Sequence, residues 1–237
     1  MAQHPAPSGH EKIETNNFLM IVLILLAILF GGLVEIVPLF FQKSTTQPVE
    51  GLKPYTALQL AGRDVYIREG CYNCHSQMIR PFRAETLRYG SFSVAGEFVY
   101  DHPFQWGSKR TGPDLHRLGG RYPNLWHYTH LMDPRATSPG SNMPSYAWLA
   151  TGKIDVPLGT KKLALMQKLG VPYADAQLES AASDQEAQAQ TVVTDLQAQG
   201  VTVAWDSEMV ALISYLQRLG RDHGVTSMLP PVAQAGQ

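Results

Sequence analysis

One unbroken apolar run dominates the pattern of hydrophobic and polar positions. Phe18 to Phe41 reads FLMIVLILLAILFGGLVEIVPLFF. As a helix rising about 1.5 Å per residue it would extend roughly 36 Å, enough to cross a hydrocarbon core of about 30 Å. Gln42, Lys43, Ser44 and Thr45 follow the run, without the small residues of a cleavage site, so it reads as an uncleaved signal anchor. Residues 1–17 precede it, residues 42–54 form a polar tether with two prolines, and residues 55–224 form one soluble domain before a loose tail at 225–237. Within that domain, Tyr55 to Gly70 places Leu58, Ala61, Val65 and Ile67 at helical spacing. WDSEMVALISYLQRLG places Met209, Leu212, Ile213, Leu216 and Leu219 on one stripe, with Asp206 as cap and Gly220 as stop. A third helical stretch runs from Leu163 to Leu169. After Gly170 and Pro172 an Ala/Gln-rich run reaches Gln199, polar all round, and predicts a surface helical insert near 174–199 outside the core. Residues 81–160 are rich in Gly, Pro, Ser and aromatics with little periodicity, apart from a short helical pattern in NLWHYTHLMDP. A loop region of that length needs something other than secondary structure to hold it, and a large prosthetic group would serve. The fold class is therefore mainly α: one transmembrane helix followed by a helical, loop-rich domain.

Glu35 is the ionisable residue of the apolar run, and Pro38 leaves the carbonyl of Val34 without its helical donor. With the small pair Gly31 and Gly32 they mark a face suited to a partner helix, against the alternative of a carboxyl close enough to the headgroups to stay wet. Flanking cations do not orient the anchor, because Lys12 on one side is balanced by Lys43 and Lys53 on the other. Among 237 residues, 19 Lys plus Arg nearly cancel 20 Asp plus Glu, so no basic field exists to gather nucleic acid. The chain has two cysteines, Cys71 and Cys74, too few for a disulfide framework or a four-thiolate metal site.

Those cysteines decide the chemistry. Cys71, Tyr72, Asn73, Cys74 and His75 spell C-x-x-C-H, the attachment motif of a c-type haem. At that spacing two thiols reach the two vinyl groups of one porphyrin, and the next imidazole swings under the iron. A thioredoxin-like dithiol needs a strand before it, and a zinc site needs two more ligands nearby; the motif instead follows a helix. Thioether formation on an exported chain places the domain in a bacterial periplasm and the N-terminus in the cytoplasm.

The second axial ligand follows by elimination among the methionines. Met1 and Met20 belong to the anchor end, Met78 is too close to His75 to reach the opposite face, and Met166 and Met209 sit on helical stripes. Met132 falls in a helical pattern and Met228 in the tail. Met143, in the helix-free stretch Gly140, Ser141, Asn142, Met143, Pro144, is the ligand of choice. His and Met together fill both axial sites, so the iron carries electrons and does not bind oxygen. His127 and His130, three residues apart, could share a helical face and bind a metal but read as paired surface or haem-packing histidines, and His102 and His116 as hydrogen-bonded loop residues.

Thr111, Gly112, Pro113, Asp114, Leu115 and His116, followed by Gly119, Gly120 and Arg121, resemble the T-G-P-x-L-x-x-x-x-G-R segment of class I cytochromes c. That resemblance implies that the carbonyl of Pro113 accepts a hydrogen bond from His75 and so orients it. Longer blocks, including VEIVPLFF, KPYTALQLAGRDVYIREGCYNCHSQMIRPFRAETLRYG, YDHPFQWGSKRTGPDLHRLGGRYPNLWH and NMPSYAW, resemble the mono-haem subunit (subunit II, FixO-like) of cbb3-type cytochrome c oxidases. The resemblance implies a single-pass inner-membrane electron carrier with one covalent haem c. Electrons would come from a di-haem cytochrome c subunit or a soluble cytochrome c and pass toward the haem-copper subunit I, where oxygen is reduced. Oxygen chemistry would belong to that other chain. It also implies that arginines near the motif hold the haem propionates, with Arg110 and Arg121 chosen by proximity. A free-standing anchored cytochrome is the rival arrangement, and an open-iron sensor or peroxidase the rival chemistry. A copper-binding oxidase subunit is excluded, because its dinuclear centre needs two cysteines separated by three residues, with nearby histidine and methionine in a strand-rich domain, whereas Cys71 and Cys74 are separated by two and followed immediately by His75.

Overall fold

The computed structural model describes residues 9–221, so Met228 and the tail beyond Gly224 lie outside the described residues. The chain divides into two units between Gln47 and Pro48, inside the stretch read as a tether. In the first unit, α1 (Gly9–Glu14) is followed by α2 (Asn17–Ile36), which Asn16 caps by accepting from the Leu19 N–H at 3.0 Å. The α-helix stops short of Phe41: Val37 makes the last helical bond, to Leu33, and Val37–Phe41 winds as a 3-10 turn. Pro38 supplies the reason, since it has no N–H to continue the ladder and its ring crowds the preceding turn. Together they give a 25-residue, predominantly apolar segment, Asn17–Phe41, long enough to cross a membrane, with no buried side chain in α2. A short α3 (Lys43–Thr46) closes this unit.

The second unit begins its helical frame with α4 (Ala57–Arg68), started by a capping box in which Thr56 Oγ1 accepts from Gln59 N–H and Gln59 Oε1 accepts from Thr56 N–H. Next come α5 (Arg83–Tyr89), α6 (Asn124–Met132), α7 (Pro134–Thr137) and α8 (Val156–Lys168). Then α9 (Asp175–Glu179) and α10 (Ala181–Ala198) lead to α11 (Glu208–Arg218). No strand occurs among the described residues, only an isolated bridge between Lys153 and Ser207. Packing of α4 against α11 forms the frame. Gly62 permits it, because a Cβ there would lie 1.9 Å from the Ala211 carbonyl oxygen. The buried rings of Tyr66 and Tyr215 then meet at a tilt of 58° with centroids 5.5 Å apart, beside Leu58, Met209, Leu212 and Ile213.

Three expectations change. The cap of α11 is Ser207, whose side chain accepts from Val210 N–H, while Asp206 pairs with exposed Lys153. Helix α8 starts seven residues before Leu163, because Asp155 caps it and Pro157 is preset for a first turn. The Ala/Gln-rich run is helical but is not a surface insert. Ala181, Gln185, Ala189, Val192, Val193 and Leu196 are buried along one face of α10, packed against α4, α8 and α11. Alanines let that face approach closely, so a stripe with little hydrophobic bulk still builds core.

Candidate haem site

Helix α4 ends on Glu69, and Gly70 turns the chain at φ 71°, a left-handed conformation that favours glycine. Cys71–Asn73 then form a single 3-10 turn, in which Cys74 and His75 N–H both donate to the Cys71 carbonyl, at 3.1 and 2.9 Å. Two free thiols and an imidazole are thereby held on one tight turn. His75 Nδ1 donates to the Pro113 carbonyl at 2.8 Å. A carbonyl only accepts, so the proton sits on Nδ1 and the lone pair of Nε2 is left for a metal. Gly112 makes room, since a Cβ there would stand 2.2 Å from His75 Cε1.

The 112–115 segment is stitched to the motif. Gly112 N–H donates to Cys74 O at 3.0 Å and Leu115 N–H to Ser76 O at 2.8 Å. Buried Asp114 accepts from Ser76 Oγ, Met78 N–H and His116 N–H at 2.6, 2.8 and 2.8 Å. Burial lowers the His75 pKa and raises that of Cys71 to about 12, so the imidazole is neutral and the Cys71 sulfur a thiol at physiological pH.

Cys71, Cys74, His75 and Pro113 line a cavity of about 670 Å³ that Met143 also lines. Met143 reaches it from a turn closed by Ser141 N–H to Ser138 O and by Tyr146 N–H to Leu131 O, at 3.0 and 2.8 Å. Tyr66, Leu115, Leu118, Leu131, Leu212 and Leu216 add apolar wall from four parts of the chain. The volume lies within the ~300–1,000 Å³ range of pockets for larger organic ligands. A porphyrin iron fits this donor set: paired thiols, a neutral imidazole with a free nitrogen, a thioether, and walls dry enough to exclude water. The family model of the cytochrome c oxidase mono-haem subunit, FixO, matches residues 10–223. The chain belongs to this family. It is the mono-haem subunit of a cbb3-type cytochrome c oxidase, a membrane complex with further oxidase subunits. No curated protein matches it.

Other residues of this FixO chain fall differently. Arg121 lines the cavity and donates to the Tyr89 carbonyl. Arg110 is not among the residues that line it. Its guanidinium pairs with Glu85 at 2.6 Å and donates to Ser76 Oγ and Met78 O, both at 2.8 Å, bracing the motif from behind. Arg88, not singled out from the sequence, and Arg117, one of the basic residues clustered near the motif, also line the cavity, although Arg117 is bound to buried Glu97. Met132 packs partly buried against the core away from the cavity lining, and Met166 and Met209 are buried core. His116 lies buried 2.6 Å from Glu97 Oε2, and the His102 carbonyl accepts from Arg63 at 3.2 Å.

His127 and His130 both line the cavity, on α6. Tyr122, Trp126 and His130 stack in a column with centroid spacings of 4.0 and 4.6 Å, and His127 meets Tyr122 and Trp126 edge-on. Nothing in their three-residue spacing distinguishes a cofactor wall from ordinary packing; the aromatic residues around them were the available signal. Glu35 and Pro38 belong to the first unit, where Glu35 is exposed.

Proposed function

We propose that this chain carries electrons through one c-type haem joined to Cys71 and Cys74 by thioethers, with His75 and Met143 as axial ligands. Cys71 and Cys74 would hold the group by adding across its vinyl double bonds, each S–H and π bond giving way to a C–S and a C–H bond, so no group would leave. Bound there, the haem supplies a one-electron carrier whose iron has no open position. The chain's own residues fix its properties. Pro113 holds the His75 ring and makes it more basic, Gly112 leaves the imidazole its space, and the leucine wall keeps water out. Arg121 and Arg88 offer cations to the propionates.

Electrons pass from a di-haem cytochrome c subunit, or a soluble cytochrome c, toward the haem-copper subunit that reduces oxygen. The anchor crosses the bacterial inner membrane once, with the N-terminus cytoplasmic and the haem domain periplasmic, where c-type haem is attached. Glu35 and Pro38 face a helix of a partner subunit.

The convergence of both thiols, His75 and Met143 on one cavity carries this reading. Met143→Ala in the full chain is the test. The variant keeps its haem through denaturation, loses the sulfur-to-iron absorption band, has a lower reduction potential and binds carbon monoxide. An unchanged band would overturn the axial assignment, and a wild-type chain released from haem by denaturation would overturn the covalent one.

A further inference from the structure

His127 is 2% exposed and lines the haem cavity, yet its Nε2 has no hydrogen-bond partner among the described residues. A buried polar atom without a partner is costly, and native proteins seldom tolerate one unless a bound group satisfies it. The neighbours give no acceptor. The Tyr122 and Trp126 rings stand nearly perpendicular to the His127 ring, with centroids 6.3 and 5.4 Å away, and His130 is already bonded to the Thr137 hydroxyl. The other cavity-lining side chain with an orphaned atom, Tyr66, has Gln77 and Tyr215 beside it, whereas only burial and His130 act on His127.

The segment that carries His127 is held firmly. Gln217 on α11 accepts from Gly120 N–H and donates to the Tyr122 carbonyl and Asn124 Oδ1, each at 2.9 Å, fixing the chain on both sides of Arg121. Arg121 lines the same cavity six residues before His127. One rigid stretch therefore offers a cation and an imidazole together. Burial, with His130 adding to it, lowers the His127 pKa to about 4, so this imidazole is neutral and keeps one N–H to donate.

We propose that His127 anchors the haem by donating a hydrogen bond from its imidazole to a propionate carboxylate, beside Arg121. The inference rests on the haem reading above. A carboxylate is the strongest acceptor that the cofactor brings, and it accepts without needing a proton from the protein. Stabilising the propionate charge by a donor lowers the negative potential at the iron and so raises its reduction potential. His127 is a cofactor-holding residue and takes no part in ligating the metal.

The experiment uses the full haem-loaded chain with His127→Phe, which keeps a ring and removes both nitrogens, and His127→Gln, which keeps a donor. Equilibrium redox titration reads a lower potential in His127→Phe and a value near wild type in His127→Gln. Redox-difference infrared spectra show the propionate carboxylate bands displaced in His127→Phe. Low-spin absorption with the sulfur-to-iron band stays the same in both. Wild-type potential and carboxylate bands in His127→Phe would overturn the proposal, as would a change of axial ligation. If His127→Phe does not mature, His127→Leu, which also removes both nitrogens, is read in its place: a lower potential with displaced carboxylate bands supports the contact, and wild-type values refute it. A wild-type chain without haem would instead sink the reading of the site itself, a separate outcome.

Discussion

At the scale of single residues, the site depends on absent atoms as much as on present ones. Gly112 has no Cβ, and that vacancy is where the His75 ring sits, within 2.2 Å of the position a Cβ would take. Gly112→Ala therefore displaces the imidazole or breaks its bond to Pro113, and the ferric spectrum changes from low spin toward high spin with the thioethers intact. An unchanged spectrum would show that the ring has slack. Behind the motif, Glu85 accepts from Arg110, and from Arg80 through backbone and side chain, which lowers its pKa from 4.5 to about 2. A lowered carboxylate pKa stabilises the fold above its unfolded value. The contribution is complete above about pH 4.5 and is lost as pH falls through about 2. Glu85→Gln lowers stability at neutral pH, and its denaturant midpoint falls less steeply than wild type between those limits. Parallel profiles would remove Glu85 from the acid response. These residues were unequally legible. C-x-x-C-H is contiguous, so its chemistry reads directly from the sequence, and elimination among methionines led to one that lines the same cavity. Arg110 stands out by nearness along the chain, which does not say which side of a loop a guanidinium takes. His127 reads only as a surface or haem-packing histidine, since an imidazole packed in a core and one facing a cofactor share the same spelling.

At the scale of elements, strong stripes were readable and thin ones were not. The apolar face of α11 and the anchor declare themselves through large side chains, and Pro38 marks where α2 gives way to a 3-10 turn. Helix α10 hides its buried face behind Ala181, Gln185 and Ala189, residues as common on surfaces as inside. Its closing turns add Val192, Val193 and Leu196, all buried in the same core as Leu58 and Leu212. This helix therefore supports α4, which ends at the haem motif, so damage there propagates to the site. Leu196 is fully buried, and Leu196→Ala should cost about 2–5 kcal/mol through lost burial and the cavity left behind. Exposed Gln190→Ala on the same helix should be near neutral. Chemical denaturation of both variants checks the contrast, and equal losses would return α10 to the surface.

At the scale of the whole molecule, the two units divide the work at Gln47 and Pro48. The first brings a membrane-length apolar segment and no cofactor chemistry, while the second holds every group proposed to touch the haem. A solitary anchor gains nothing from a carboxylate and a proline within its span, because the carboxylate costs a few kcal/mol in lipid unless a partner or the interface receives it. On the proposed reading, a helix of another oxidase subunit would offer donors to Glu35 and to the carbonyl freed by Pro38. Mild-detergent extraction tests the arrangement directly. The full chain should co-elute with b-type haem and copper, and Glu35→Leu with Pro38→Ala should weaken that association while leaving c-type absorbance on the released chain. Wild-type chain eluting alone with c-type absorbance would mean that the anchor merely tethers a shuttle. Retention of the double variant in the complex would mean that other surfaces carry the assembly.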